Sequence, residues 1–285
     1  MNEAASTLIR QWLGCRSPVE AMAWLSAQID QALAEPGDRA LQIAFGSIPR
    51  RLGKASLNLT AEELASARTA VAGWSPFSWT MADAARALLL SSLPGRNPDF
   101  APRFRALCAT AEVAESISLY RGLPLYPEPE SLEPQVGEGL RSNMRDVFEA
   151  IAHHNPYPRQ YFDTHRWNHM VLKALFVGSA LAPIQGLDAR ANAELARIML
   201  DFSHERRAAG RPIPHEIWRC VGPFAQGEAL ADLERVLTGG GPVERKAAAL
   251  ALAASPDPAA PAILAGAADL AADIAHGRLT WNALS

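Results

Sequence analysis

Helix-start signatures recur along this chain and almost nothing in it reads as a strand, and that asymmetry limits the fold more than any other feature. Ser17-Pro18-Val19-Glu20 has the pattern of a capping box with proline at the first helical position. Behind it, Met22, Leu25, Ile29 and Leu33 repeat at the spacing of one helix face, and Pro36-Gly37 stops the run. Thr60 with Glu63 makes a second capping box, with Gly73 ending its helix. Thr80 with Asp83 makes a third, ahead of Leu88-Leu89-Leu90. Asp163 and Asp188 stand where N-caps belong, and Gly210 suits a C-terminal cap. Neither a long alternating run of β-branched and aromatic residues nor an Asn-Gly hairpin turn occurs.

The 21 prolines and 19 glycines fall mostly between the helical stretches, so the chain reads as many short helices joined by tight turns. The expected fold is all-α, with more than ten helices, either an irregular HEAT-like helical solenoid or a compact multi-helix domain. One domain is expected over residues 1–285. Residues 243–254 and 259–268 read as a helix pair around Ser255-Pro256-Asp257-Pro258, and residues 242–285 as helices capping the stack. Gly239-Gly240-Gly241-Pro242 is a hinge candidate.

Hydrophobic residues make up 49% of the chain, enough for a core without a metal or disulfide staple. The net charge of −3 argues against a nucleic-acid partner, which calls for a basic excess. Cys15, Cys108 and Cys220 are odd in number and far apart, which fits reduced thiols in a cytoplasm rather than disulfides or a zinc cluster. The first residues lack the charged and apolar regions of a signal peptide. The most apolar central stretch, residues 171–187, is interrupted by Lys173 and Gln185 and falls short of the ~20 residues of a membrane span. No dinucleotide, hydrolase or zincin motif is present, so no cofactor is expected.

Polar chemistry concentrates in the middle. Six of the seven histidines lie between His153 and His215. Residues 141–219 hold eleven Arg or Lys against eight Asp or Glu, a net of +3, which leaves −6 for the rest of the chain. A basic, histidine-rich centre in an acidic protein suits an internal anion site; the same charges also suit solvated helix faces and capping partners. In Asn155-Pro156-Tyr157-Pro158 two prolines hold Tyr157 rigidly, as a helix stop or as one wall of a pocket. His165, His169 and Lys173 share a helix face, but Lys173 would repel a cation there, so no metal site is expected. Asp201, His204 and Glu205 are spaced for one helical network, either an acid–base group or a salt-bridge cluster, and Glu216 is spaced to pair with Arg219. Upstream, Pro49-Arg50-Arg51-Leu52-Gly53-Lys54 is a basic turn of the kind that suits phosphate, without the P-loop spacing.

Several strings together resemble the EboA-domain family: PRRLGK (49–54), GWSPFSW (73–79), SLYRGLPLYPEPE (118–130), EGLRSN (138–143), VFEAI (147–151), NPYPRQYFDTHRWNHMVLKALF (155–176), GLDARAN (186–192), HERRAAGR (204–211) and EIWR (216–219). The resemblance covers roughly residues 40–255. It implies a helical, HEAT-like protein of bacterial ebo gene clusters, which are linked to secondary metabolism and to movement of a pigment precursor towards the periplasm. It also implies other cluster proteins as possible partners. The motif positions it carries over are Arg141, Asn143, Asn155, Tyr157, Tyr161, Asp163, Trp167, Asn168, Lys173, Asp188, Arg190, Asn192, His204, Glu205, Arg206, Arg211, Glu216 and Arg219. His165 and His169 are not among them.

Two functions from different classes follow. In the first, these residues line a central polar pocket for an anionic or polyhydroxylated small molecule, sugar- or cyclitol-like. Lys173 and the arginines would hold the anion, Tyr157 and Asn168 would orient hydroxyls, and His204 with Glu205 would move a proton if chemistry occurs. In the second, the chain is a non-catalytic helical scaffold for other pathway proteins or precursor export, and the same residues hold turns and helix ends together.

Overall fold

A computed structural model describes residues 3–34, 38–93 and 100–284. Among them the chain forms eighteen α-helices and no strand; Ser56 and Thr80 meet in an isolated antiparallel bridge. The all-α, many-helix expectation holds. The chain divides into two compact units, residues 1–166 and 167–285.

The first unit carries α1 (Glu3–Arg16), α2 (Val19–Ala34), α3 (Arg39–Leu52), α4 (Ala61–Ala70), α5 (Met81–Ser91), α6 (Phe100–Thr110), α7 (Val113–Arg121), α8 (Glu133–Leu140), α9 (Arg145–Ala152) and α10 (Tyr157–Tyr161). Helix α5 is its centre: every residue from Met81 to Ser91 is buried. An Ala- and Leu-rich sequence allows this, because small and aliphatic side chains on all faces admit neighbours from every side. Helices α1, α2, α3 and α7 all pack on α5, and α7 also meets α9. Each fully buried leucine of the Leu88-Leu89-Leu90 run contributes about 1.5–3 kcal/mol of hydrophobic stabilisation.

Helix α11 (Thr164–Phe176) spans the division between the units. The second unit continues with α12 (Ala193–Ala208), α13 (Ile217–Val221), α14 (Glu228–Gly239), α15 (Pro242–Ala254), α16 (Ala260–Ala265), α17 (Ala268–Ala275) and α18 (Trp281–Leu284). Its central helix is α15, buried continuously from Ala247 to Leu252 and packed by α13, α14, α16, α17 and α18. Gly222 sets the closeness of one contact, since a Cβ there would lie 2.8 Å from the Ala251 Cα. The expected helix pair around Ser255-Pro256-Asp257-Pro258 forms as α15 and α16.

Local starts mostly follow the sequence signals. The boxes Thr60–Glu63 and Thr80–Asp83 both form, with reciprocal side-chain bonds. Asp163 Oδ1 accepts the Arg166 N–H at 2.7 Å and caps α11. Gly210, at φ +62°, follows the end of α12. Gly239-Gly240-Gly241-Pro242 is a tight turn between α14 and α15. Two expected starts differ. The Pro18 carbonyl accepts the Ala21 and Met22 N–H groups, so Ser17 falls one position too early and its buried hydroxyl has no partner among the described residues. Asp188 caps no helix; Asn192 caps α12 instead, its Oδ1 accepting the Leu195 N–H. The stop at Pro36-Gly37 lies outside the described residues.

Candidate functional site

A cleft of about 480 Å³ opens in the first unit. One wall is the loop between α4 and α5, which brings Trp74, Phe77 and Trp79 to the cavity. Pro76 and the turns around it keep this segment from becoming helix, and it is tied down by backbone bonds from Leu57 N to Trp79 O (2.8 Å) and from Met81 N to Ala55 O (2.9 Å). The tryptophan rings pack on one another at 5.7 Å, and Trp74 also meets Trp12 at 5.5 Å. Phe77 stays 47% exposed at the rim, where its ring meets His154 edge-to-face at 4.5 Å.

The floor is a buried polar network. Asp83 and Arg86 of α5 and Ser118 of α7 are at most 4% exposed. Asp83 Oδ1 accepts the Ser118 hydroxyl at 2.6 Å, and Oδ2 accepts Arg121 Nη1 at 2.7 Å and the Thr80 N–H at 2.8 Å. Arg86 answers a specific need. Pro49 inside α3 has no N–H, which leaves the Phe45 carbonyl four residues earlier without its helical donor, and Arg86 Nε supplies one at 3.2 Å. Its other nitrogens reach Ala114 O, Ser118 Oγ and Glu115 Oε1, and its guanidinium lies 4.8 Å over the Phe45 ring.

The third wall comes from α9 and the residues after it: Asp146, Glu149, Ala150, His153, His154 and Asn155. His154 adopts a left-handed conformation at φ +52°, and burial, with His153 beside it, holds its imidazole below the usual histidine range. Asn155 is fully committed. Its amide donates to Tyr120 O and Ala150 O, and its oxygen accepts the Tyr157 N–H. Lys54 and Pro49, from the basic turn at the end of α3, complete the cavity.

Of the motif positions carried over from the family resemblance, Asn155 alone lines this cleft, and the basic turn contributes Pro49 and Lys54. Nearby in the first unit, Tyr157 is buried and donates to Pro129 O at 2.6 Å, and Tyr161 packs on it at 4.9 Å. Arg141 pairs with Glu138 on the surface, and Asn143 is exposed between α8 and α9.

In the second unit the structure brings others together as a frame. Asn168 and Asn192 exchange side-chain amide bonds at 2.9 and 3.1 Å, and Arg190 lies 4.7 Å over the Trp167 ring. Glu216 does not pair with Arg219; its carboxylate accepts the N–H groups of Leu181 and Ala182, where two adjacent loop donors need an acceptor. Arg219 instead holds Asp188 through two bonds at 2.6 and 2.7 Å. Lys173 is half-buried on α11, and burial holds its amine below the usual lysine range. Among the described residues no cluster of three His, Cys, Asp or Glu is placed to hold a metal.

The His204 network also differs from its spacing. His204 Nε2 meets the buried Asp232 of α14 at 2.5 Å, while Glu205 points to solvent and Asp201 pairs with Arg197. Asp232 also binds Arg207 and Arg235. Arg206 donates to Pro212 O and lies over Phe202, and Arg211 is exposed.

The fold and the cleft together define an all-α protein with a ligand-sized, aromatic and polar cavity in its first unit. The chain belongs to the EboA family: the family model described as metabolite traffic protein EboA matches residues 5–222. That span contains every residue lining the cleft. No curated protein matches the chain, and no solved structure does. No helix among the described residues is long and apolar enough to cross a membrane.

The cleft residues were within reach of the sequence. The string GWSPFSW supplies one of its walls, and PRRLGK supplies Pro49 and Lys54. The readable signal was three aromatics within six residues of a proline-containing, non-helical segment, where an aromatic side chain has no helix face to pack into.

Proposed function

We propose that this chain takes part in metabolite traffic by binding a small polyhydroxylated or anionic molecule, sugar- or cyclitol-like, in the cleft of its first unit. The observation that carries this reading is the cleft: about 480 Å³, within the range of small-molecule sites, with an aromatic wall facing a polar one. Aromatic faces suit the apolar face of a ring, and the serine, histidine and carboxylate groups opposite suit its hydroxyls. Binding rather than turnover fits a traffic role, and a pathway of secondary metabolism is the setting the family resemblance suggests.

A thermal-shift screen of polyols, cyclitols and their phosphates tests it. A ligand that binds only the folded state stabilises by about 2.7 kcal/mol at a hundredfold excess over Kd. Phe77→Ala should weaken binding about tenfold by removing a stacking face, yet leave the unliganded melting temperature near that of the wild type, because Phe77 is exposed. If no compound in the screen shifts the melting curve, this reading fails.

A second reading has an observation of its own. Asp188, Asn192, Glu216 and Arg219 in the second unit all hold loops and helix ends. That is what a scaffold for other pathway proteins would need from them, and co-purification with such proteins, without a small-molecule effect on melting, would favour it.

A further inference from the structure

We propose that Lys54 reads an acidic substituent, a phosphate or a carboxylate, on the ring held in the cleft. This rests on the ligand-binding reading above and specifies the ligand class: a ring with one acidic group, its body against the aromatic wall and its anion at the α3 end.

Three cations line the cleft: Lys54, Arg86 and Arg121. Two are already committed to the fold. Arg86 is buried, with its nitrogens bound to Phe45 O, Ala114 O, Ser118 Oγ and Glu115. Arg121 is held by Asp83 at 2.7 Å and by Ser78 O at 3.2 Å. An incoming anion would have to compete with a fixed carboxylate for either guanidinium. Lys54 is different. It is exposed, follows Gly53 at φ +85° where α3 ends, and has no ion pair among the described residues. A flexible ammonium with three donors can meet an anion without disturbing any structural bond.

The carboxylates of the cleft make the complementary point. Asp83 is saturated by Thr80, Ser118 and Arg121, and Glu149 is paired with Arg145 at 2.6 Å. Asp146, exposed in the first turn of α9, has no ion pair among the described residues. The cleft therefore offers one spare cation from α3 and one spare carboxylate from α9. An acidic substituent is attracted to the first and repelled by the second, so the two residues fix which way round the ligand lies. The basic turn at residues 49–54, suited to phosphate by composition, thereby acquires a role: it delivers Lys54 to the cavity.

Calorimetric titration of the full chain with myo-inositol 1-phosphate and with myo-inositol tests the proposal, in the wild type, Lys54→Ala and Asp146→Asn. Preferential binding of the phosphate, about tenfold weaker in Lys54→Ala, is the expected result, because a hydrogen-bonded charge contact carries that much. In Lys54→Ala, affinity for uncharged myo-inositol should fall much less than affinity for the phosphate. Asp146→Asn should strengthen phosphate binding, and raising salt from about 20 to about 300 mM should weaken it in the wild type but not in Lys54→Ala. If both compounds bind the wild type equally, or if the preference for phosphate survives in Lys54→Ala, the role of Lys54 is overturned while the cleft remains a binding site. If neither binds, the ligand-binding reading fails and the assignment of Lys54 fails with it. Lys54 is exposed and has no ion pair among the described residues, so Lys54→Ala should melt with the wild type, which separates lost binding from lost folding.

Discussion

Asp83→Ala is the most severe test of how the cleft is built, because one carboxylate serves three structural purposes. It closes the capping box of α5, whose loss costs about 0.5–2 kcal/mol. It accepts the buried Ser118 hydroxyl, a charge-assisted bond of about 1.5–3 kcal/mol. It neutralises Arg121, whose side chain is 26% exposed, so that pair is screened and counts near the upper end of a surface bridge, about 1 kcal/mol. These terms share one group and do not add in full. An overall loss of about 3–4 kcal/mol is therefore expected, which is a large share of a typical domain's stability. Asp83→Asn can keep an oxygen for the Thr80 N–H and Arg121 but then places its amide against the Ser118 hydroxyl and removes the charge, so a loss about half as large is expected. Urea denaturation followed by circular dichroism measures both. A loss below about 1 kcal/mol for Asp83→Ala would show that the network under the cleft is not what holds α5 to α7.

Three further outcomes follow from titratable groups. Burial pushes the Asp232 carboxyl up, but the bonds from His204, Arg207 and Arg235 outweigh it and hold it below the usual carboxylate range. Its stabilising contribution is thus complete above the unfolded aspartate value of about 3.9 and is lost as pH falls through the lower folded value. Melting temperature against pH should show an acid-side decline that is shallower in Asp232→Asn. For His154, burial and the neighbouring His153 lower the folded value, so the unfolded chain takes up its proton first. Stability should then begin to fall as pH drops below about 6.5 and level off below the folded value, and an NMR titration should show His154 shifting later than an exposed histidine. Burial pushes the thiols of Cys108 and Cys220 up to about 12, whereas Cys15 is exposed. A thiol reagent near neutral pH should label Cys15 quickly, the half-buried Cys108 more slowly and Cys220 only on unfolding; fast labelling of Cys220 would contradict the packing around α13.

The helical character was legible because it is written locally. A threonine followed three residues later by an acid specifies a helix start wherever it falls, and both Thr60 and Thr80 obey it. Ser17 failed because proline can stand at the N-cap as well as after it, and a single residue of register decides whether the serine reaches an N–H. Which helix would be central was less legible. The Ala- and Leu-rich segments of α5 and α15 both read as apolar runs, but burial on all sides is a property of how many neighbours arrive, and those neighbours come from distant parts of the chain.

The cleft shows why charge density along a sequence is a weak guide to a site. The central segment is rich in histidine and arginine, yet Arg219, Arg206 and Arg190 are bound to a carboxylate, a carbonyl and an aromatic face respectively. Helix ends and irregular loops leave backbone donors and acceptors that something must satisfy, and a protein with many short helices has many such ends. Arg86 answering the carbonyl stranded by Pro49, and Glu216 answering two N–H groups of the 177–192 loop, are the same solution in two places. A polar group spent in this way has little left for a ligand. What distinguishes the cleft is not its number of charged residues but the presence of two, Lys54 and Asp146, that no ion pair among the described residues consumes. Pairing depends on three-dimensional distance, so spare groups cannot be told from spent ones in a sequence. Once the pairs are known, the spare ones are where recognition of a charged molecule can be added or removed without unfolding the chain.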